Sequence, residues 1–144
     1  MKKVIALLAI GVVTMAFMEN SKKSTKQEEE GIKFKHLTLE EAKKKAAEDD
    51  QLIFIDAYTS WCGPCKKMAA TSFQEPKVGN FYNENFVNLK IDVEKDADGS
   101  EIARMYKVRA YPTLLFIDSE GKLVKSVIGF QTGDQLLNLA KSVN

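Results

Sequence analysis

One junction limits the folds open to this chain more than any other stretch. Residues 52–58, Leu-Ile-Phe-Ile-Asp-Ala-Tyr, are an apolar, aromatic-rich run that predicts a buried strand, and residues 66–73 carry helix formers. Between them stands Trp61-Cys62-Gly63-Pro64-Cys65, which holds both cysteines of the chain. Gly63 lets the backbone turn, and Pro64 suits the first turn of a helix because it lacks an N–H that would go unpaired there. The two thiols sit about one helical turn apart, so they can close a disulfide across the start of the helix without long-range chain closure.

That placement makes the two sulfurs unequal. Cys62 faces the helix N-terminus, where free amide N–H groups and the positive end of the dipole favour thiolate over thiol and bring such cysteines to a pKa of roughly 3.5 to 7.5. It is the expected nucleophile, with its sulfur exposed beside Trp61. Cys65, one turn inside, is expected to be shielded and to resolve a mixed disulfide formed by Cys62. Three other uses of two cysteines compete. They could be plain core residues, although adjacent Trp, Gly and Pro are poor core material. They could form a static bridge, which would stabilise weakly because so short a loop loses little entropy on closure. They could be half a zinc site, but a closed site needs four ligands and only His36 adds an imidazole, so no metal is expected. His36 itself lies just before a predicted helix and reads as solvated.

The other classes of function leave no mark. The 144 residues, 44% hydrophobic and 28% charged, fit one domain plus a tail. Lys and Arg total 21 against 20 Asp and Glu, so no basic surface argues for nucleic acid. Gly-rich phosphate loops and paired-His metal motifs are missing from the sequence.

Met1-Lys2-Lys3 followed by an apolar run over residues 4–18 has the form of a secretory signal, and it is short for a membrane span. Residues 1–18 are therefore expected to be a signal peptide or a short retained anchor, and the product to be exported, periplasmic or otherwise extracytoplasmic. Cleavage after Ala16 would leave Thr14 and Ala16 at the two positions that matter. Residues 19–31 contain no apolar side chain and predict a flexible charged linker. The folded domain is expected over residues 32–144.

Within it, Ile32-Lys33-Phe34-Lys35 alternates like a short edge strand, and Thr38-Leu39-Glu40-Glu41 is a capping-box signature for a helix through about Glu48. After the buried strand and the cysteine-bearing helix, Glu75-Pro76 breaks the chain and residues 77–85 give a second helical piece. A strand follows at 86–93, a helix at 101–106, a strand at 114–117, a turn at 119–122 and its partner strand at 123–128. Thr132 to Gln135 caps a last helix through Lys141. The order βαβαβαββα predicts an α/β fold, a central mixed sheet with helices on both faces that closes in an antiparallel hairpin.

Asp56, six residues before Cys62, the Trp-Cys-Gly-Pro-Cys-Lys run, and Tyr111-Pro112-Thr113 about fifty residues on together resemble the thioredoxin family over residues 32–144. Met68, Phe73, Pro76 and Val78 are similar to secreted members and to domains linked to membrane reductants. The resemblance implies a thioredoxin-like fold and implies roles for individual residues. Pro112 matches the family's cis-proline, whose neighbouring backbone pairs with an extended substrate segment. Asp56 matches the buried carboxylate that accepts the Cys65 proton. Trp61, Gly63, Pro64, Tyr111, Gly129 and Phe130 complete the implied substrate-binding rim, with core packing the other use for Phe130. Where cytoplasmic members often carry a lysine near the carboxylate this chain has Asn88, with Lys90 on the same strand face. Tyr58 replaces a second tryptophan, Thr59-Ser60 a more acidic pair, and Tyr111 the isoleucine common before the proline, as in the disulfide isomerases.

The resemblance implies an extracytoplasmic thiol-disulfide oxidoreductase that reduces disulfides in exported proteins. Its alternatives are a protein disulfide isomerase and a binding or chaperone module with an idle disulfide. The expected redox group is the Cys62–Cys65 pair itself, without another cofactor. The expected partners are protein substrates and a membrane thiol conductor as electron donor, with the chain acting as a monomer.

Overall fold

The computed structural model describes residues 30–144. The expected leader and residues 19–29 of the expected linker lie outside the described residues. Among the described residues the elements are α1 (Leu39–Asp49), β1 (Leu52–Tyr58), α2 (Gly63–Ala70), a 3₁₀ turn (Ser72–Gln74), α3 (Pro76–Asn85), β2 (Phe86–Asp92), α4 (Gly99–Met105), β3 (Thr113–Ile117), β4 (Leu123–Ile128) and α5 (Gly133–Lys141).

The four strands form one mixed sheet in the order β2-β1-β3-β4. β1 runs parallel to β2 and antiparallel to β3, and β3 and β4 make the closing hairpin. The crossovers between β1 and β2 and between β2 and β3 carry helices, so both faces of the sheet are covered. Alternation along β1 sends Ile53, Ile55 and Ala57 to a face covered by α1 and α4, through Leu39, Ala42, Ala46 and Ile102. Phe54 points the other way, into a second core with Met68 of α2, Phe73, Val78 and Tyr82 of α3, and Leu136 of α5. Asp56, two residues after Phe54, shares that second face with it.

Local signals set the helix ends. Thr38 and Glu41 form the expected capping box, with Thr38 Oγ1 accepting the Glu41 N–H at 3.2 Å and Glu41 Oε2 accepting the Thr38 N–H at 2.8 Å. Thr132 and Gln135 repeat it at α5. α2 starts three residues earlier than its helix formers suggest, because Cys62 serves as N-cap and Gly63-Pro64 already lie in the first turn.

The expected first strand is not one. Residues 32–35 run across the sheet's flank as an irregular strap, and the element order begins with α1 instead of a strand. Three amides of the strap are taken by different elements. The Ile32 N–H donates to Phe73 O, Lys33 N–H to Asn83 Oδ1 and Lys35 N–H to Asn88 O, so only the last reaches β2 and no ladder can propagate. Its alternation still has a use, since Ile32 is buried and Phe34 meets Phe73 edge-on at 5.2 Å. Gly31, expected in the linker, is already held: its carbonyl accepts from Asn83 Nδ2 at 3.1 Å, and its Cα is packed against the Phe73 carbonyl.

Candidate active site

Cys62 and Cys65 are joined in a disulfide with their Cα atoms 5.3 Å apart. Cys62 is the N-cap of α2 in an extended conformation, and its Sγ accepts the Cys65 backbone N–H at 3.2 Å. Pro64 contributes no N–H, so the first turn concentrates its donor capacity on Gly63 and Cys65. The structure departs from the expected contrast in exposure. Cys62 is only 4% exposed, against 1% for Cys65, and a Cys62 N–H to Thr59 O bond of 3.2 Å closes the turn that leads into it. What separates the two sulfurs is therefore the amide directed at Cys62, with access a minor difference.

Asp56 is fully buried on the sheet face that α2 covers. Its Oδ2 is 2.9 Å from Lys90 Nζ, its partner directly across the β1–β2 register. Its Oδ1 has no protein partner. Burial pushes the carboxyl above the ordinary aspartate range, and the Lys90 ammonium pulls in the opposite direction without cancelling the effect. Lys90 also lies over the Tyr58 ring at 3.8 Å, so the tyrosine that replaces the second tryptophan steers the cation. Asn88 is occupied elsewhere, its Nδ2 donating to Tyr82 O at 3.1 Å.

The cis-proline expectation holds, since the Tyr111–Pro112 bond is cis. Thr113 Oγ1 donates to Ala110 O at 2.7 Å and ties the loop before it. Gly129 donates its N–H to Pro112 O at 2.8 Å with φ of 97°, a left-handed conformation that favours glycine, so the turn after β4 is fastened to the proline loop. Tyr111 is half-buried and meets Trp61 edge-on, with ring centroids 5.8 Å apart. Gly63 and Pro64 are exposed at the helix start. Phe130 packs on the second core and remains partly exposed, with Lys67 Nζ 4.9 Å from its ring. His36 is exposed.

The structure thus links the residue before Cys62 to the residue before Pro112, and the cis-proline loop to Gly129. A thiol, a helix start aimed at it, a second thiol one turn away and a buried carboxylate beneath that helix's side of the sheet can carry out exchange between a dithiol and a disulfide. Sequence reasoning noted Lys90 only for its strand face, without pairing it to Asp56, and missed Glu94; the two come from β2 and the turn after it. Lys90 is paired with Asp56, and Glu94 holds the Trp61 indole. Neither has a local signature.

A family model for the thioredoxin-like domain matches residues 39–144. The chain belongs to the thioredoxin-like family. This thioredoxin-like protein is 39% identical to a solution structure from Bacteroides thetaiotaomicron described as a candidate disulphide-isomerase, with a TM-score of 0.69 covering 80% of this chain and 97% of that one. It is 41% identical to Thioredoxin-1 of Drosophila melanogaster over 81 residues, 56% of this chain and 70% of that protein. It is 29% identical over 118 residues to the thiol:disulfide interchange protein DsbD of Haemophilus influenzae, which is 78% of this chain and 20% of DsbD. The family is one of thiol-disulfide oxidoreductases, and the mixed α/β fold is shared with its solved members.

Proposed function

We propose that this thioredoxin-like protein is an extracytoplasmic protein-disulfide reductase. The observation that carries the reading is the Cys65 N–H donated to Cys62 Sγ at the start of α2, which favours a thiolate at Cys62 in the reduced protein. The Cys62 thiolate attacks one sulfur of a substrate disulfide, forming a mixed disulfide and releasing the first substrate thiolate. Asp56 accepts the Cys65 proton, and the Cys65 sulfur attacks Cys62 Sγ. The second substrate thiolate leaves, the Cys62–Cys65 disulfide closes, and two electrons have passed to the substrate. The disulfide is the redox group, and the reaction invokes no further cofactor.

Pro112 and its neighbours supply backbone for an extended substrate segment, and Trp61, Tyr111, Gly129 and Phe130 border it. Export follows from the apolar run after Met1-Lys2-Lys3. An exported reductant leaves the cytosolic thiol supply behind, so a membrane thiol conductor acts as its electron donor. Isomerase activity is the second reading, favoured by Tyr111 before Pro112 and by the likeness to the Bacteroides structure.

Insulin reduction with dithiothreitol tests the first reading. Turnover that disappears in Cys62→Ser supports it, whereas no turnover would leave a binding or chaperone module with an idle bridge. Refolding of scrambled ribonuclease separates the isomerase, and trapping the redox state in cells gives the direction: a pair found oxidised under all conditions would replace the reductase with an oxidase.

A further inference from the structure

Trp61 is 64% exposed, yet its ring is held by two distant parts of the chain. Its Nε1–H donates to both carboxylate oxygens of Glu94, at 3.2 Å to Oε1 and 3.1 Å to Oε2. It also meets Tyr111 at an interplanar angle of 90°. Glu94 stands just after β2 with its backbone N–H donating to Asp92 Oδ1 at 3.0 Å, so the turn that presents its carboxylate is itself fixed. A charge-assisted bond and an edge-on ring contact fix an exposed side chain whose ordering a partner would otherwise have to impose on binding.

We propose that Glu94 is a positioning residue for protein substrates: it pins the Trp61 indole against Tyr111 and so sets one wall of the groove, between the cysteine turn and the proline loop, before a substrate arrives. The inference rests on the disulfide-exchange reading above. An extended protein segment meets this wall along its length, whereas a small disulfide reaches Cys62 without it. Glu94 therefore acts on KM for protein disulfides and leaves the exchange chemistry alone.

Trp61 is the only tryptophan in the chain, so tryptophan emission reports this one indole. In the full chain, Glu94→Ala is expected to lower the emission anisotropy and increase quenching by acrylamide. It should raise KM for insulin roughly three- to tenfold, the range of one aromatic contact, with kcat unchanged and the rate with 2-hydroxyethyl disulfide unchanged. Glu94→Gln keeps an oxygen that accepts the indole N–H and should stay near wild type in every readout. The proposal is overturned by an unaltered anisotropy in Glu94→Ala, by equal losses with insulin and the small disulfide, or by a Glu94→Gln protein as impaired as Glu94→Ala. If the wild-type protein reduces neither substrate, the disulfide-exchange reading falls, while the anisotropy comparison still decides whether Glu94 holds the indole.

Discussion

Lys90 Nζ lies 2.9 Å from Asp56 Oδ2, directly across the parallel β1–β2 pair, and the two partners are unequally buried. The lysine side chain keeps 26% of its exposure and the aspartate keeps none. The pair is thus a buried acid with a cation at the water's edge, where the ammonium can stay partly hydrated and the carboxylate cannot. Burial prevails, and the Asp56 carboxyl is raised.

The sign of the stability effect follows. The folded protein holds the Asp56 proton to higher pH than the unfolded chain does. The stability this group contributes is complete below its ordinary value of 3.8 and is lost as pH rises through the raised value. Asp56→Asn should accordingly raise Tm at pH 8 and leave it unchanged at pH 3. Thermal unfolding across that range checks it, and a variant less stable than wild type at pH 8 contradicts it.

Lys90 is the group that holds the Asp56 carboxyl down, so Lys90→Met should raise it further. The pH profile of the step in which Cys65 loses its proton should move to higher pH, with the plateau rate little altered. Stopped-flow release of a labelled thiol measures this. A profile that stays in place, or moves to lower pH, would show that Lys90 does not tune the carboxyl.

Cys65→Ser should leave Cys62 able to attack and unable to release its partner, so mixed disulfides with native substrates should accumulate. Cys62→Ser should trap none, because Cys65 lies inside the helix without the amide that Cys62 receives. With both cysteines intact, Asp56→Asn should slow release roughly a hundredfold, the lower range of general-base catalysis, without preventing the mixed disulfide from forming. Non-reducing gels of captured partners and the release rate are the readouts; equal trapping by the two serine variants would reverse the assignment of roles.

The strap is locked at a crossing of two glycines. A Cβ on Gly79 would overlap the backbone of Glu30 and Gly31, where no side-chain adjustment can relieve it. Gly79→Ala should destabilise the domain by about 1–3 kcal/mol, as overpacking does. A urea midpoint lowered with an unchanged slope would agree, and an unchanged midpoint would mean that the strap contributes little.

Much of the site could be read from the sequence because its parts are set by near neighbours. The cysteine pair, the Pro64 helix start, and the capping boxes of Thr38 with Glu41 and Thr132 with Gln135 depend on residues within one turn, and local chemistry placed each of them. Asp56 could be called buried because the apolar run around it has no solvent side. The alternation of Ile32 to Lys35 misled for a physical reason. An extended strap that buries one face has the same period as a strand, and only the carbonyls that accept its amides distinguish the two.

What the sequence determined by itself was the cysteine-bearing junction, the order of all elements from α1 onward, and the identity of the family. What only the tertiary structure decided was which distant groups meet. The β1–β2 register brought Lys90 to Asp56, the turn after β2 brought Glu94 to Trp61, and packing buried Cys62, which was expected to be open. Periodicity and caps are short-range and leave a local trace; pairing across a sheet depends on register and on the packing of the whole domain, so it has no local pattern from which to read it.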